Sequence, residues 1–395
     1  MKLWQKKYEL DKQIEAFTVS NDYLLDQKLV KYDCLGSIAH AKMLNKIGIL
    51  SKTECDKLVM ALYEIITING NNAFIIKQED EDCHTAIENY LIKKLGDCGK
   101  KIHTARSRND QILTALRLYY KDEIKTITQL INELIKTLNS LKGKHGNVAL
   151  PGYTHMTKAM PSSIGLWAES FIESMKDNKT LLTYIAKLAD QSPLGTGAGY
   201  GLPIEVDREL TKKLLGFNKI QNNPIYVQNS RGKFESSILH ALSQIMFDLN
   251  KISSDIMLFS MPEFGYFELP SELSTGSSIM PHKKNPDVLE IVRANYHQII
   301  AFEFEVKNII SNLVSGYNRD LQLTKKPMIN GFEVTKATLS IMIKVLGQIK
   351  INKSKCKNAM TKELYTTDKA YKLVKKGIPF RDAYKKISQE YERNL

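Results

Sequence analysis

The long apolar stripes in the middle of the chain constrain its fold more than any other feature. Ile124, Ile127, Ile131, Leu134, Leu138 and Leu141 step by three and four between Gln111 and Gly143. That spacing puts side chains on one face of a helix with 3.6 residues per turn. Leu242, Ile245, Leu249, Ile252 and Ile256 repeat it, Leu166 to Leu188 and Val288 to Leu313 carry noisier versions, and Phe332 to Ile349 is apolar nearly all round. Gly143 and Gly146 supply a stop for the first segment. Each segment predicts a helix of roughly 25–35 residues, on the order of 40–50 Å long at about 1.5 Å per residue. Stripes this long and this close to a seven-residue repeat pack nearly parallel. The expectation is a mainly α chain with a central bundle of long helices. A helix apolar all round must be covered, often by another subunit, so a homo-oligomer is expected as well.

Three regions follow from the pattern. Residues 1–108 hold shorter amphipathic segments, 109–350 the central long-helix bundle, and 351–395 a short helical region around Gly377-Ile378-Pro379. Composition then excludes several classes. No apolar run approaches the ~18 residues that cross a bilayer, and the start, MKLWQKKYELDKQIEAF, has no apolar core of a secretory signal. The five cysteines have no C-x-x-C spacing, which points to free thiols in a reducing compartment. A cytoplasmic protein with no membrane partner is expected. The net charge is +13, but lysine pairs recur from residues 6–7 to 385–386 with no recognisable nucleic-acid module. We read the charge as compositional drift, with no nucleic-acid partner. GTGAGYG at 195–201 imitates a dinucleotide fingerprint, but it follows a helix where that motif needs a preceding strand; it reads as a connector.

Four polar stretches interrupt the helices: DEDCHTAIE (80–88), HTARSRNDQ (103–111), PGYTH (151–155) and STGSSIMPHKKNPD (274–287). Each has a plain structural reading. Arg108 and Asn109 stand where a helix is capped, His155 suits a core position, Ser277 fills a turn, and Asn285-Pro286-Asp287 suits a helix start. Together they suit a dicarboxylate. Arg, Lys, Asn and Thr donors bind carboxylates, a His paired with a carboxylate protonates a leaving nitrogen, and a loop serine beside Lys283 and backbone N–H groups becomes a base if its alkoxide is stabilised. That last condition is the demanding one, because an unperturbed serine is a very weak acid.

GSSIMPHKKNPD strongly resembles the signature of the fumarase/aspartase superfamily. HTARSRNDQ, PGYTH, SPLG with VDRE (206–209), EFGY (263–266), YNRDLQ (317–322) and GIPFRDA (377–383), with KLW (2–4) and GSIAHAKML (36–44), resemble argininosuccinate lyases in particular. The resemblance runs over essentially the whole chain. It implies reversible anti elimination of argininosuccinate to L-arginine and fumarate without metal or organic cofactor. It implies Ser277 as base, Lys283 and Asn285 as holders of the aci-carboxylate, His155 as the acid-side histidine and Glu290 as its orienting carboxylate. Arg108, Asn109, Thr154, Tyr317, Gln322, Lys325, Asp82, His84 and Ser20 are implied substrate binders. It also implies a homotetramer whose sites each draw on three chains. The chain departs from the family pattern at FTVS (17–20), at His282, at Lys158 and Met160, and at NSRGKFE (229–235), so Arg231 is not carried over. Another lyase of the superfamily, an inactive structural homologue and a polyanion-binding protein stand as alternatives.

Overall fold

A computed structural model describes residues 10–392; the KLW motif lies outside them. The five stripes form the helices Arg108–His145, Ile164–Ala189, Lys233–Ser260, Asp287–Ile310 and Lys325–Gln348, so the protein is mainly α. The first runs 38 residues and passes through Gly143, which therefore does not stop it. Ile127, Ile131, Leu134 and Leu138 are fully buried on one stripe, each contributing about 1.5–3 kcal/mol of transfer free energy. Among the described residues strands are confined to four two-stranded sheets, of which the hairpin Ala149–Thr154 with Thr157–Ser163 is the longest.

The chain divides into two compact units. The first holds residues 10–127, 181–243 and 299–333. Its short helices are set by local chemistry: Ser51 and Glu54 make a reciprocal capping box at Lys52–Gly70, and Asp82 caps Cys83–Leu95 by accepting from the Thr85 N–H at 2.8 Å. Its core stacks Tyr119, Tyr120 and Phe332 with ring centroids about 6 Å apart. The GTGAGYG segment is the expected connector. Asp110 fastens it, its Oδ2 accepting from the N–H groups of Gly195 and Gly197 at 3.0 and 2.9 Å while its Oδ1 accepts from Ser107 at 3.0 Å.

The second unit holds residues 128–180, 244–298 and 334–392. Trp167, Phe171, Phe259 and Phe267 form its aromatic centre, and the buried side of Trp167 is satisfied by an Nε1–H bond to Asp255 at 2.9 Å. The region around Gly377 forms the short helices Lys353–Asn358, Thr366–Val374 and Phe380–Glu392. Large apolar side chains left exposed sit on Ile164–Ala189 and Asp287–Ile310, Leu166 at 66% and Phe304 at 69%. The Lys325–Gln348 helix exposes less: its Ile341 is 39% exposed, while Phe332, Leu339 and Met342 are fully covered.

Candidate active site

The first unit gathers eight of the sequence-predicted residues in or beside one cavity of about 200 Å³. Lys325 is its floor. Only 3% exposed, its ammonium lies 2.5 Å from Asp22 and 2.6 Å from Asp26. Burial disfavours that charge, but the Asp26 and Asp22 carboxylates outweigh it and hold the lysine well above its ordinary range. Two carboxylates share one ammonium, and burial, with the Asp26 charge behind it, pushes Asp22 up to about 6. Arg108, at the first turn of the longest helix, ties the wall: its guanidinium donates to Thr85 Oγ1 at 2.7 Å and lies 3.2 Å from Asp82. Asn109 lines the cavity and donates to the Ala198 carbonyl at 3.3 Å.

His84 is buried. Its Nδ1 is paired with Asp33, which also accepts from Gln111 Nε2 at 2.9 and 3.0 Å. Burial opposes a charged imidazole, yet Asp33 raises its pKa. The ring lines the cavity and its Nε2 has no hydrogen-bond partner among the described residues. Tyr317 lines the mouth, and Gln322 donates to the Thr18 carbonyl at 3.1 Å beside Arg319, which does the same. Ser20, at φ 49° on the end of Lys12–Val19, is exposed and is not part of the lining.

Sequence reasoning missed Asp22, Asp26, Asp33 and Arg231. The four-residue spacing of Asp22 and Asp26 was a signal that two carboxylates share a helix face. Arg231 lines the cavity, is buried, and has an Nε–H with no partner among the described residues. Asp26, Cys83 and His84 bring ligand atoms within 4.8 Å of one another. Asp26 is engaged by Lys325 and the Cys83 N–H, and His84 Nδ1 by Asp33.

The second unit carries the remaining residues. Thr275-Gly276 pairs with Lys284-Asn285 in a small hairpin. Its tip presents Ser277, half-buried, whose Oγ accepts from the N–H of Met280 at 3.1 Å and of Ile279 at 3.4 Å. The Asn285 amide donates back to the Gly276 carbonyl at 3.3 Å, and Thr275 Oγ1 closes the base on Asp287 at 2.6 Å. Asn285 therefore lies in a strand and does not cap the helix, which starts at Asp287. Lys283 and Glu290 are exposed with no side-chain partner among the described residues. Thr154 ends the first strand of the longer hairpin and His155 follows it in the turn. His155 is exposed, not a core histidine, and with Met156 forms a two-residue turn with φ of 51° and 59°. That is the left-handed pair of a type I′ turn, normally filled by Asn-Gly. A larger cavity of about 1210 Å³ in this unit is lined by Tyr153 and by Met156 to Ala159, and skips Thr154 and His155.

Comparison with known proteins bears on the family and the fold. The lyase family profile matches residues 5–301. An argininosuccinate lyase of Thermotoga neapolitana is 53% identical over 392 residues, covering 99% of this chain and 98% of its own. One from Phocaeicola vulgatus is 40% identical, covering 99% and 88%. Among solved structures, a fumarate lyase/delta crystallin from Brucella melitensis superposes with a TM-score of 0.82 at 20% identity, over 97% of this chain and 88% of that one. A class II fumarase from Schistosoma mansoni gives 0.78 at 18%, over 95% and 91%. At such identities the structural likenesses establish the fold, a mainly α helical bundle, and the sequence relatives establish the rest: the chain belongs to the lyase family and, within it, to the argininosuccinate lyases.

Proposed function

We infer that the chain is a carbon–nitrogen lyase that cleaves argininosuccinate to L-arginine and fumarate, reversibly, as a step of arginine biosynthesis. The observation that carries the catalytic assignment is the environment of Ser277. An oxygen that receives two backbone N–H groups gains support for its anion before substrate arrives, which supports the reading of Ser277 as the base. Ser277 takes the proton from the carbon beside a substrate carboxylate. The charge moves into that carboxylate as an aci-anion, held by Lys283 and Asn285. His155, oriented by Glu290, delivers a proton to the guanidino nitrogen as the C–N bond breaks. Lys325, Arg108, Asn109, His84, Tyr317, Gln322 and Thr154 bind the remainder of the substrate, Asp82 holds Arg108, and Ser20 adds a contact from its exposed turn.

The working form in this reading is a cytoplasmic homotetramer with each site drawn from three chains; the regions 1–108, 109–350 and 351–395 are the pieces it arranges. Two features support it. Leu166 and Phe304 leave apolar surface uncovered on long helices, and Lys283, Glu290 and His155 have no side-chain partner within their own chain among the described residues. The test is fumarate release from argininosuccinate by the purified chain beside Ser277→Ala. A general base contributes about 10²–10⁴-fold, so the variant should lose about that much kcat while folding and assembling as before. Equal rates in the two proteins would remove Ser277 from the mechanism. Activity that persists in monomers isolated by dilution would remove the shared site.

A further inference from the structure

The high positive charge is not used by the lyase reading, and it is not evenly spread. Residues 350–392 hold twelve Lys and Arg against five Asp and Glu, a net +7 of the chain's +13. All twelve cations are exposed, and among the described residues only Lys369 is paired with a carboxylate, Glu390 at 3.7 Å. The same stretch walls the 1210 Å³ cavity. Its helices are two-faced. Phe380, Tyr384 and Tyr391 of Phe380–Glu392 turn toward the cavity, while Arg381, Lys385 and Lys386 of that helix are exposed and outside the lining. The lining also holds a second aromatic set. Tyr153, Phe264 and Tyr266 stand with ring centroids 5.6–6.0 Å apart, the two tyrosine hydroxyls hydrogen-bonded at 2.8 Å. Tyr384 is 59% exposed, so its ring face is open. Lys158 and Lys355 complete the lining: Lys158 donates to Thr361 Oγ1 at 3.3 Å and lies close enough to Glu363 to favour its ionised form, while Lys355 donates to the Pro262 carbonyl at 3.2 Å. Of the two lining carboxylates, Glu363 is engaged by Thr361, and Glu263 stands exposed.

Exposed aromatic rings such as Phe380 and Tyr384 accept flat rings on their faces, whatever the ring's edge carries. A surrounding surface of unneutralised lysines attracts phosphates. A cavity of this volume exceeds what a dicarboxylate fills and is open enough for a base and its sugar phosphate. We propose that this cleft is a nucleotide-binding site, in which bases stack on the exposed rings of Phe380 and Tyr384, with Tyr153 and Phe264 lining the cleft beside them, and phosphates are met by Lys355 and the exposed lysines around it. The lining skips the proposed elimination residues Thr154 and His155, and the proposal departs from the expectation of no nucleic-acid partner. That expectation rests on the spread of lysine pairs along the chain; the proposal rests on the few acids left between them in this stretch.

The test is fluorescence anisotropy of a labelled 12-nucleotide poly(U) RNA with the full-length protein at low salt, repeated across a salt titration. AMP, ATP and heparin serve as competitors. Phe380→Ala/Tyr384→Ala should weaken binding by about tenfold or more, since a stacked base contributes that much, with fumarate release unchanged as the sign of an intact fold. Lys355→Gln should weaken it less and flatten the salt dependence. Displacement of the strand by AMP or ATP makes free nucleotides the ligand; displacement by oligonucleotide alone makes it a strand, and both support the site. No binding at low salt would overturn the proposal. So would unchanged affinity in the double aromatic variant, or displacement by heparin as effective as by oligonucleotide at equal charge, because each would leave only a generic basic surface.

Discussion

The Lys325 cavity and the Ser277 loop solve opposite problems. Around Lys325 the chain supplies its own counter-charges: Asp22 and Asp26 lie within 2.6 Å of the ammonium, and the group is sealed from water. Around Ser277 the contacts are short-range and internal to the loop, and Lys283 and Glu290 are exposed. In the first the charges are matched within the chain; in the second Lys283 and Glu290 have no side-chain partner among the described residues. Substitution should separate them. Ser277→Ala costs rate by the 10²–10⁴ factor given above, and its stability should stay within about 0.5 kcal/mol, as for other surface changes. A variant that unfolded would place the loop in the structural half of the comparison.

Lys325→Met tests the other half. It leaves two buried carboxylates facing each other without a cation, a change that costs about 3–5 kcal/mol for a broken buried pair. The loss should be greater at pH 8 than at pH 5, because at the lower pH one carboxylate takes a proton and the repulsion ends. Urea denaturation at the two pH values reads both numbers. An equal loss at both would mean that packing, not charge, fixes Lys325.

Asp110 sharpens the comparison by one further step, since it is a buried carboxylate with no lysine against it. Burial pushes it up to about 6 despite the N–H groups of Gly197, Ser107 and Gly195. An unfolded aspartate gives up its proton near 3.9. Between those values the folded chain holds a proton that the unfolded chain has released, so stability falls as pH rises from about 4 to about 6. The shift corresponds to something on the order of 3 kcal/mol. Asp110→Asn removes that titration, so its stability curve should be shallower than the parent's over this window, whatever the substitution costs at a single pH. Parallel curves would show that Asp110 ionises as an ordinary carboxylate.

Much of the fold was legible because burial of a helical stripe is a local, periodic signal. The stepping of Ile124 to Leu141 predicts the longest helix within a few residues, and it failed only at Gly143, where tertiary cover of the stripe overrides a weak propensity. The loops were legible as motifs, but their environments were not. Nothing in PGYTH says that His155 sits at φ 51°, and nothing in the SRND stretch says that Asp110 grips the glycine connector 85 residues on. Asn285 looked like a helix cap because Asn-Pro-Asp is a good cap sequence; the short pairing of Thr275-Gly276 with Lys284-Asn285 draws it into a strand instead. Asp22, Asp26 and Arg231 stayed hidden for a related reason, since a buried charge reads in one dimension as a surface charge until its partner, 299 residues away for Asp26, is in place.

The hairpin that carries His155 should show the smallest effect and the most specific one. A type I′ turn requires positive φ at both central positions, and an L side chain there costs roughly 1–2 kcal/mol against the right-handed region. Met156→Gly should therefore stabilise the chain by about 0.5–1 kcal/mol, the relief in the turn being partly offset by the freedom that glycine adds to the unfolded chain. His155→Gly should give a similar gain in stability and at the same time lose the rate that its imidazole supplies. That pairing of opposite signs is the point. A residue that destabilises its own turn, and whose removal helps folding while harming turnover, is kept there for chemistry. If both glycine variants lower stability instead, the turn fits these side chains without strain and position 155 owes its histidine to packing.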